Sequence, residues 1–247
     1  MSKQPAARVM AITGGGRGIG AAVARMAAQR GYDIAISYRA DAGAAKAVAA
    51  DIETLGRKVL VVQADAAVEA DTIAFFQAID RTFGRLDVLI NNAGIVAPRS
   101  RVVDMTAERL QRMFALNVIG NFLAAREAVK RMSTKSGGNG GVIVNLASAA
   151  SKHGAPGEFV DYAATKGAID VFTQGLAKEV ATEGIRVNAV RPGLIDTEIH
   201  ASAGAPGRVK ELQGQVPMQR GGTADEVAEA ILFLASDAAS YITAALL

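Results

Sequence analysis

The chain has 247 residues, of which 50% are hydrophobic and 21% charged, with a net charge of +3. That length and balance fit a globular α/β chain with a sizeable core and exclude a disordered one. The absence of cysteine excludes disulfides, thiol catalysis and cysteine–zinc sites. Two histidines exclude a His-rich metal centre, and the scattered basic residues exclude a nucleic-acid stripe.

The N-terminal stretch MSKQPAARVMAITGGG lacks the apolar core of a signal peptide, and no run approaches the ~18 apolar residues of a membrane span. The expectation is a cytoplasmic protein with no membrane partner. Short apolar runs alternate with helix-period stretches throughout, the pattern of βαβ units and a parallel sheet in one domain, 1–247. Strands are expected at Arg8–Thr13, Asp33–Tyr38, Lys58–Gln63, Leu86–Asn91, Gly141–Leu146 and Arg186–Val190. Helices are expected at Ile19–Arg30, Ala42–Leu55, Glu69–Phe83, Thr106–Met132, Val160–Thr182 and Ala224–Ser236. Gly31, Gly56, Gly84 and Gly184 stand where C-terminal glycine caps belong, and Thr223 with Glu226 forms a capping-box signature.

The first strand runs into TGGGRGIG, Thr13 to Gly20, which opens a helix. Glycines there let a backbone approach a pyrophosphate whose charge sits at the helix N-terminus. The fingerprint GxGxxG/A can be forced onto Gly16, Gly18 and Ala21, but TGxxxGxG, with Gly14, Gly18 and Gly20, describes the stretch better. The second strand ends in Ser37–Arg39 without the acidic residue that would bind a ribose 2′-hydroxyl. Arg39 and Arg17 would suit a 2′-phosphate, which favours NADP(H) and leaves NAD(H) as the alternative. Asp65, after the third strand, is either an acceptor for an adenine amino group or a turn-forming residue.

The fourth strand ends in Asn91–Gly94. Asn92 can tie down loops at the crevice edge, and small Ala93 and Gly94 let a ligand lie against the backbone. Asn117 interrupts an apolar helical stretch and needs a polar partner. Ser148 falls just past the fifth strand, where its hydroxyl can bond a substrate oxygen. A hydrolase role for it lacks the GxSxG elbow. His153 and His200 lie in loops with no obvious acidic orienter.

YAATK, Tyr162 to Lys166, organises the chemistry. Four residues apart, the phenol and the amine share one helical face. Bringing a phenol from pKa ~10 to ~7 needs about 4 kcal/mol, close to the Coulomb term of one ammonium at ~4.5 Å and an effective dielectric of ~20. The pair can therefore make a general acid/base, where otherwise it is only a solvated surface pair. The sixth strand ends in RPGLIDT, Arg191 to Thr197. Residues Glu198–Gly222 then read as a mobile lid. Arg99 and Arg101 could attract an acidic substrate or simply be solvated.

Together, TGGGRGIG, NNAG, Asn117, Ser148, YAATK and RPG resemble the short-chain dehydrogenase/reductase family over about Arg8–Tyr241. The chain is most similar to the bacterial branch of 3-oxoacyl-carrier-protein reductases and glucose dehydrogenase-like enzymes. The resemblance implies a single Rossmann-type domain with a doubly wound, seven-stranded parallel sheet. It implies a nicotinamide cofactor lying across Gly14, Gly16, Arg17, Gly18, Ile19 and Gly20, with Pro192, Gly193, Ile195 and Thr197 along the nicotinamide. It implies Tyr162 as acid/base and Lys166 lowering its pKa and bonding the nicotinamide ribose. Ser148 would polarise the substrate carbonyl, and Asn117 would hold a water of a proton relay. The partner would be a small carbonyl or alcohol substrate, in a homotetramer or dimer packed through the long helices. Ala244 replaces a family glycine near the last strand, so that strand is expected to be shortened. A non-catalytic NADP(H)-binding sensor on the same fold is the competing expectation.

Overall fold

Apolar runs too short for helices pair side by side at the centre. They are β1 (Val9–Ile12), β2 (Asp33–Tyr38), β3 (Val59–Gln63), β4 (Val88–Asn91), β5 (Gly141–Leu146) and β6 (Ile185–Val190). The computed structural model describes residues 7–247, so the signal-peptide expectation lies partly outside the described residues. All pairings are parallel, and the order is β3-β2-β1-β4-β5-β6. The order reverses between β1 and β4, and a crevice opens there at the carboxyl ends of the strands.

Ten helices are seen among the described residues: α1 (Gly18–Gln29), α2 (Ala42–Thr54), α3 (Glu69–Phe83), α4 (Ala107–Phe114), α5 (Gly120–Met132), α6 (Ala150–His153), α7 (Val160–Val180), α8 (Ile199–Ser202), α9 (Arg208–Leu212) and α10 (Ala224–Ala235). Strand side chains alternate between two apolar layers. Met10 and Ile12 join Ala24 of α1, Val48 of α2 and Ile231 of α10. Val9 and Ala11 join Phe76 of α3, Ala124 of α5 and Val180 of α7. Because both faces are covered, Ile12, Ile34 and Ile36 are fully buried, each contributing about 1.5–3 kcal/mol. The four expected glycine caps all have left-handed φ, and Thr223 and Glu226 make their reciprocal box.

Two expectations need correction. Among the described residues the sheet has six strands rather than seven. The last residues run beside β6 with only an isolated bridge between Ala189 and Leu246. Val187 donates to the Thr243 hydroxyl instead of a carbonyl, Ala245 donates to the Asn188 side chain, and Ala244 takes φ +62°. Backbone bonds from Ala244 to Val187, Ala189 to Ala245, Leu247 to Ala189 and Arg191 to Leu247 still join the two segments, but the left-handed Ala244 and the side-chain bonds interrupt them before a regular strand forms.

The expected helix Thr106–Met132 is divided. A π turn at Ala115–Ile119 separates α4 from α5. The Asn117 side chain is tied outward to the loop after β4, and Gly120 passes so near the Ala66 carbonyl that an added Cβ would stand 2.5 Å from it. Both contacts come from outside the helix, and π turns of this kind concentrate at functional sites.

Candidate active site

The turn after β1 is held by its neighbours rather than by its own residues. Thr13 Oγ1 accepts from the amides of both Asn92 and Ala93, each at 3.0 Å. Asn92 Nδ2 donates back to the carbonyls of Thr13 and Gly14, at 2.9 and 3.0 Å. Gly14, at φ +65°, lies so near Ala93 that a Cβ would meet its Cα at 3.2 Å. Gly20 is closer still: its Cβ would fall 2.5 Å from the Gly14 carbonyl and 2.6 Å from Asn92 Nδ2. Any side chain at Gly20 would push the start of α1 off the turn. Ser37 at the end of β2 completes the hold, accepting from the Gly14 amide at 3.3 Å.

A cleft of about 1280 Å³ opens over this turn. That exceeds the ~300–1,000 Å³ of ordinary small-ligand pockets and leaves room for a dinucleotide beside a substrate. Gly14, Gly16, Arg17, Gly18 and Ile19 line it, with Arg39 and Asp65 from the ends of β2 and β3. Asn92, Ala93 and Gly94 follow from the end of β4, and Pro192, Gly193, Ile195 and Thr197 from the end of β6. Gly20 and Asn117 stand behind the wall. Arg17 and Arg39 are exposed and make no ion pair among the described residues. Asp65 Oδ1 accepts from the Ala67 amide, so it shapes the turn as well as lining the cleft. Asp65 and the two arginines fit an adenosine phosphate at this end, and the bare glycine backbone fits the pyrophosphate.

Ser148, Tyr162 and Lys166 line the cleft beyond Gly94. The Ser148 hydroxyl oxygen accepts from the Ala150 amide at 3.1 Å, and its proton is left to donate toward the Tyr162 oxygen. Lys166 is buried, and its Nζ donates to the Leu146 carbonyl at 2.5 Å, tying α7 to the end of β5. The same nitrogen lies 5.6 Å from the Tyr162 ring centroid. The two side chains share one face, as their spacing requires.

The charge expectation for this pair is corrected. Burial raises the Tyr162 phenol above its ordinary value, and a hydrogen bond with Ser148 pulls the other way. Burial also lowers Lys166 to about 8, against the attraction of Asp170. Removal from water penalises both phenolate and ammonium, and it outweighs the pairing that sequence spacing alone suggests.

Asn117 is fully buried. Its Oδ1 accepts from the Ile95 amide at 2.8 Å, and its Nδ2 donates to the Ile95 carbonyl at 2.9 Å. It also reaches Thr165 Oγ1 at 3.2 Å, one residue before Lys166. A methyl group added at Gly94 would sit 3.3 Å from Asn117 Oδ1 and 3.7 Å from Lys166 Nζ, so both side chains pack closely against that glycine.

Several residues at the site carry no motif. Thr13 and Ser37 clamp the turn, although only the Thr before the glycines hints at it. Buried Asp161 accepts from Arg109 at 2.8 Å and from the Tyr162 amide at 2.9 Å, while Arg109 also donates to the Pro98 carbonyl. Residues 198–222, where a lid is expected, form a closed loop whose neck is pinned where Asp196 donates to Gly222 and Gly222 to Leu194. It carries α8 and α9, and His200 Nε2 meets the Ile195 carbonyl at 2.9 Å. Neither histidine hydrogen-bonds Ser148 among the described residues, so a hydrolytic Ser148 would lack a base. Among those residues no group of three or more potential metal ligands clusters, and no helix is long and apolar enough to cross a membrane.

A sheet that reverses order over a glycine-clamped cleft, with a tyrosine and a lysine one turn apart at its edge, defines a dinucleotide-dependent type of fold. The family profile described as Enoyl-(Acyl carrier protein) reductase matches residues 14–247. The chain belongs to the short-chain dehydrogenase/reductase family and is an oxidoreductase of that family. It is 54% identical over 232 residues, 94% of each chain, to the protein named Uncharacterized oxidoreductase YgfF of Escherichia coli. It is 37% identical over 238 residues to a 3-oxoacyl-[acyl-carrier-protein] reductase of Synechocystis, covering 96% of this chain and 93% of that one. Its fold is similar, with a TM-score of 0.89 and 33% identity, to a short chain dehydrogenase of Burkholderia cenocepacia solved in complex with NADP. That match covers 98% of this chain and 95% of the other.

Proposed function

We propose that the protein is an NADP(H)-dependent carbonyl reductase or alcohol dehydrogenase in which Tyr162 is the general acid/base. The observation that carries this reading is the convergence of Ser148, Tyr162 and Lys166 on one cleft wall, beyond a clamped glycine turn. When bound, the cofactor supplies or accepts the hydride. The protein binds, orients and moves a proton.

Ser148 turns its hydroxyl proton from Tyr162 to the substrate oxygen and holds the carbonyl against Tyr162. Burial keeps the phenol neutral at pH 7, so in reduction Tyr162 delivers a proton from Oη to that oxygen. Lys166, held by the Leu146 carbonyl, stands beside the ring and stabilises the phenolate left behind. Asn117 fixes the Ile95 backbone beside Lys166, and the proton returns through Lys166. Two unpaired guanidiniums, Arg17 and Arg39, favour NADP(H) over NAD(H), because a guanidinium can bond phosphate with two parallel donors. The NADP complex of the Burkholderia relative supports the same preference.

Association into a dimer or tetramer belongs to this reading. Exposed Phe114, Ile119, Phe122 and Val171 give α4, α5 and α7 an outward apolar face, with Phe122 stacked on Phe172 at 3.9 Å.

The test is consumption of NADPH and NADH with a panel of ketones, 3-oxoacyl thioesters and sugars. Turnover of at least one class, faster with NADPH, is expected. Tight NADPH binding with no turnover across the panel would favour the sensor reading instead.

A further inference from the structure

Arg208, on the lid helix α9, is held more firmly than a surface arginine. Its Nη2 pairs with Glu158 Oε2 at 2.7 Å, and its guanidinium carbon lies 4.8 Å from the Phe159 ring centroid. Glu158 is fixed from its other side by Arg99, at 3.2 Å from Oε1, and Arg99 also reaches Glu211. This network leaves Arg208 Nη1 buried and without a hydrogen-bond partner among the described residues. A buried donor with nothing to bond costs about 1–3 kcal/mol, which a fold retains where a ligand completes the bond.

Arg208 lines the cleft. Phe159, on which it rests, precedes Tyr162 by three residues at the start of α7, about 5 Å along a helix axis. The charges around it point to an anion. Of the basic residues lining this end, Arg109 is neutralised by Asp161, but Arg112 has no ion-pair partner among the described residues. Arg208 is balanced by Glu158 and Glu198 lies beside Gly18, so Arg112 and Lys166 are the lining cations with no carboxylate partner among the described residues.

We propose that Arg208 anchors a carboxylate of the substrate, so that the enzyme acts on oxo acids or the matching hydroxy acids. This rests on the reductase reading and extends it to a substrate class. One carboxylate oxygen takes Nη1 while the reacting carbonyl, a short chain away, meets Ser148 and Tyr162. Glu158 and Phe159 orient the guanidinium, and because Arg208 rides on the lid, binding of the acid draws the lid and the active-site rim together.

The experiment is calorimetric titration of the full chain, saturated with NADP⁺, with a series of 2-, 4- and 5-oxo acids and their methyl esters. The wild type should bind the best acid at least 10-fold more tightly than its ester. Arg208→Ala should lose 10- to 100-fold on that acid and less than 2-fold on the ester. Arg208→Lys keeps the pairing with Glu158 but not the second fork nitrogen, and should fall between. It also serves if the alanine variant folds poorly. Equal binding of acid and ester, equal losses on both, or no binding of any acid in the series overturns the proposal. Turnover of the same compounds with NADPH is read separately. Discrimination in binding without turnover would leave the anchor standing and remove the reductase reading, and turnover indifferent to the carboxylate would do the reverse.

Discussion

Lys166 Nζ donates to the carbonyl of Leu146 at 2.5 Å, so the amine beside Tyr162 is fixed by the end of a central strand rather than by a carboxylate. Burial is then free to act on the amine, and it lowers the pKa to about 8. The unfolded chain, at the ordinary value of 10.5, holds this proton to higher pH. Between about pH 8 and 10.5 the unfolded state therefore binds more protons, and this group makes stability rise with pH. The gain amounts to about 2–3 kcal/mol across the window. Urea unfolding of the cofactor-free protein at pH 7.5 and 10 should show it as a difference from Lys166→Met, which lacks the rise. Parallel pH profiles in the two proteins would mean that the amine keeps its ordinary pKa.

Arg39 and Arg17 set the expected cofactor choice. Neither is committed to a carboxylate among the described residues, so either can turn to a phosphate without breaking an ion pair seen there. Arg39→Asp should weaken NADPH about 100-fold, the loss of a charged hydrogen bond plus repulsion, and change NADH less than about 3-fold. Fluorescence titration with the two cofactors measures both. Equal losses on NADPH and NADH would remove the 2′-phosphate assignment.

The strand arrangement was legible in the sequence because burial on both faces leaves short, uniformly apolar runs between glycine-capped helices. The parts that were not legible depend on contacts between distant residues. The π turn at Ala115–Ile119 carries the bond from Asn117 to Ile95, 22 positions away; the one polar residue in an apolar stretch signals a partner without locating it. The seventh strand is reduced to one bridge because Ala244 turns left-handed and Thr243 and Asn188 side chains share the pairing with the backbone, which propensity does not register. The spacing of Tyr162 and Lys166 gave their shared face but not their pKa directions, since spacing carries the Coulomb attraction and not the desolvation. Arg208 showed no motif at all. Its setting is made by Glu158 and Phe159, about fifty positions earlier.

Ala244 offers a stability test independent of chemistry. It holds φ +62°, which costs an L-residue about 1–2 kcal/mol, whereas glycine accepts that conformation at a smaller entropic cost. Ala244→Gly should therefore stabilise the protein by about 0.5–1 kcal/mol, seen as a higher urea midpoint with an unchanged slope. A lower midpoint would show that the methyl group makes a contact worth more than the strain.

The central claim is that the Tyr162 hydroxyl moves the proton, and Tyr162→Phe tests it most directly. The substitution removes one oxygen from a partly buried ring and leaves the glycine turn, Arg39 and Lys166 in place. The account predicts NADPH affinity within about 3-fold of wild type and turnover of the best carbonyl substrate reduced by about 10²–10⁴-fold, the usual worth of a positioned acid/base. Undiminished turnover by the phenylalanine variant would contradict it.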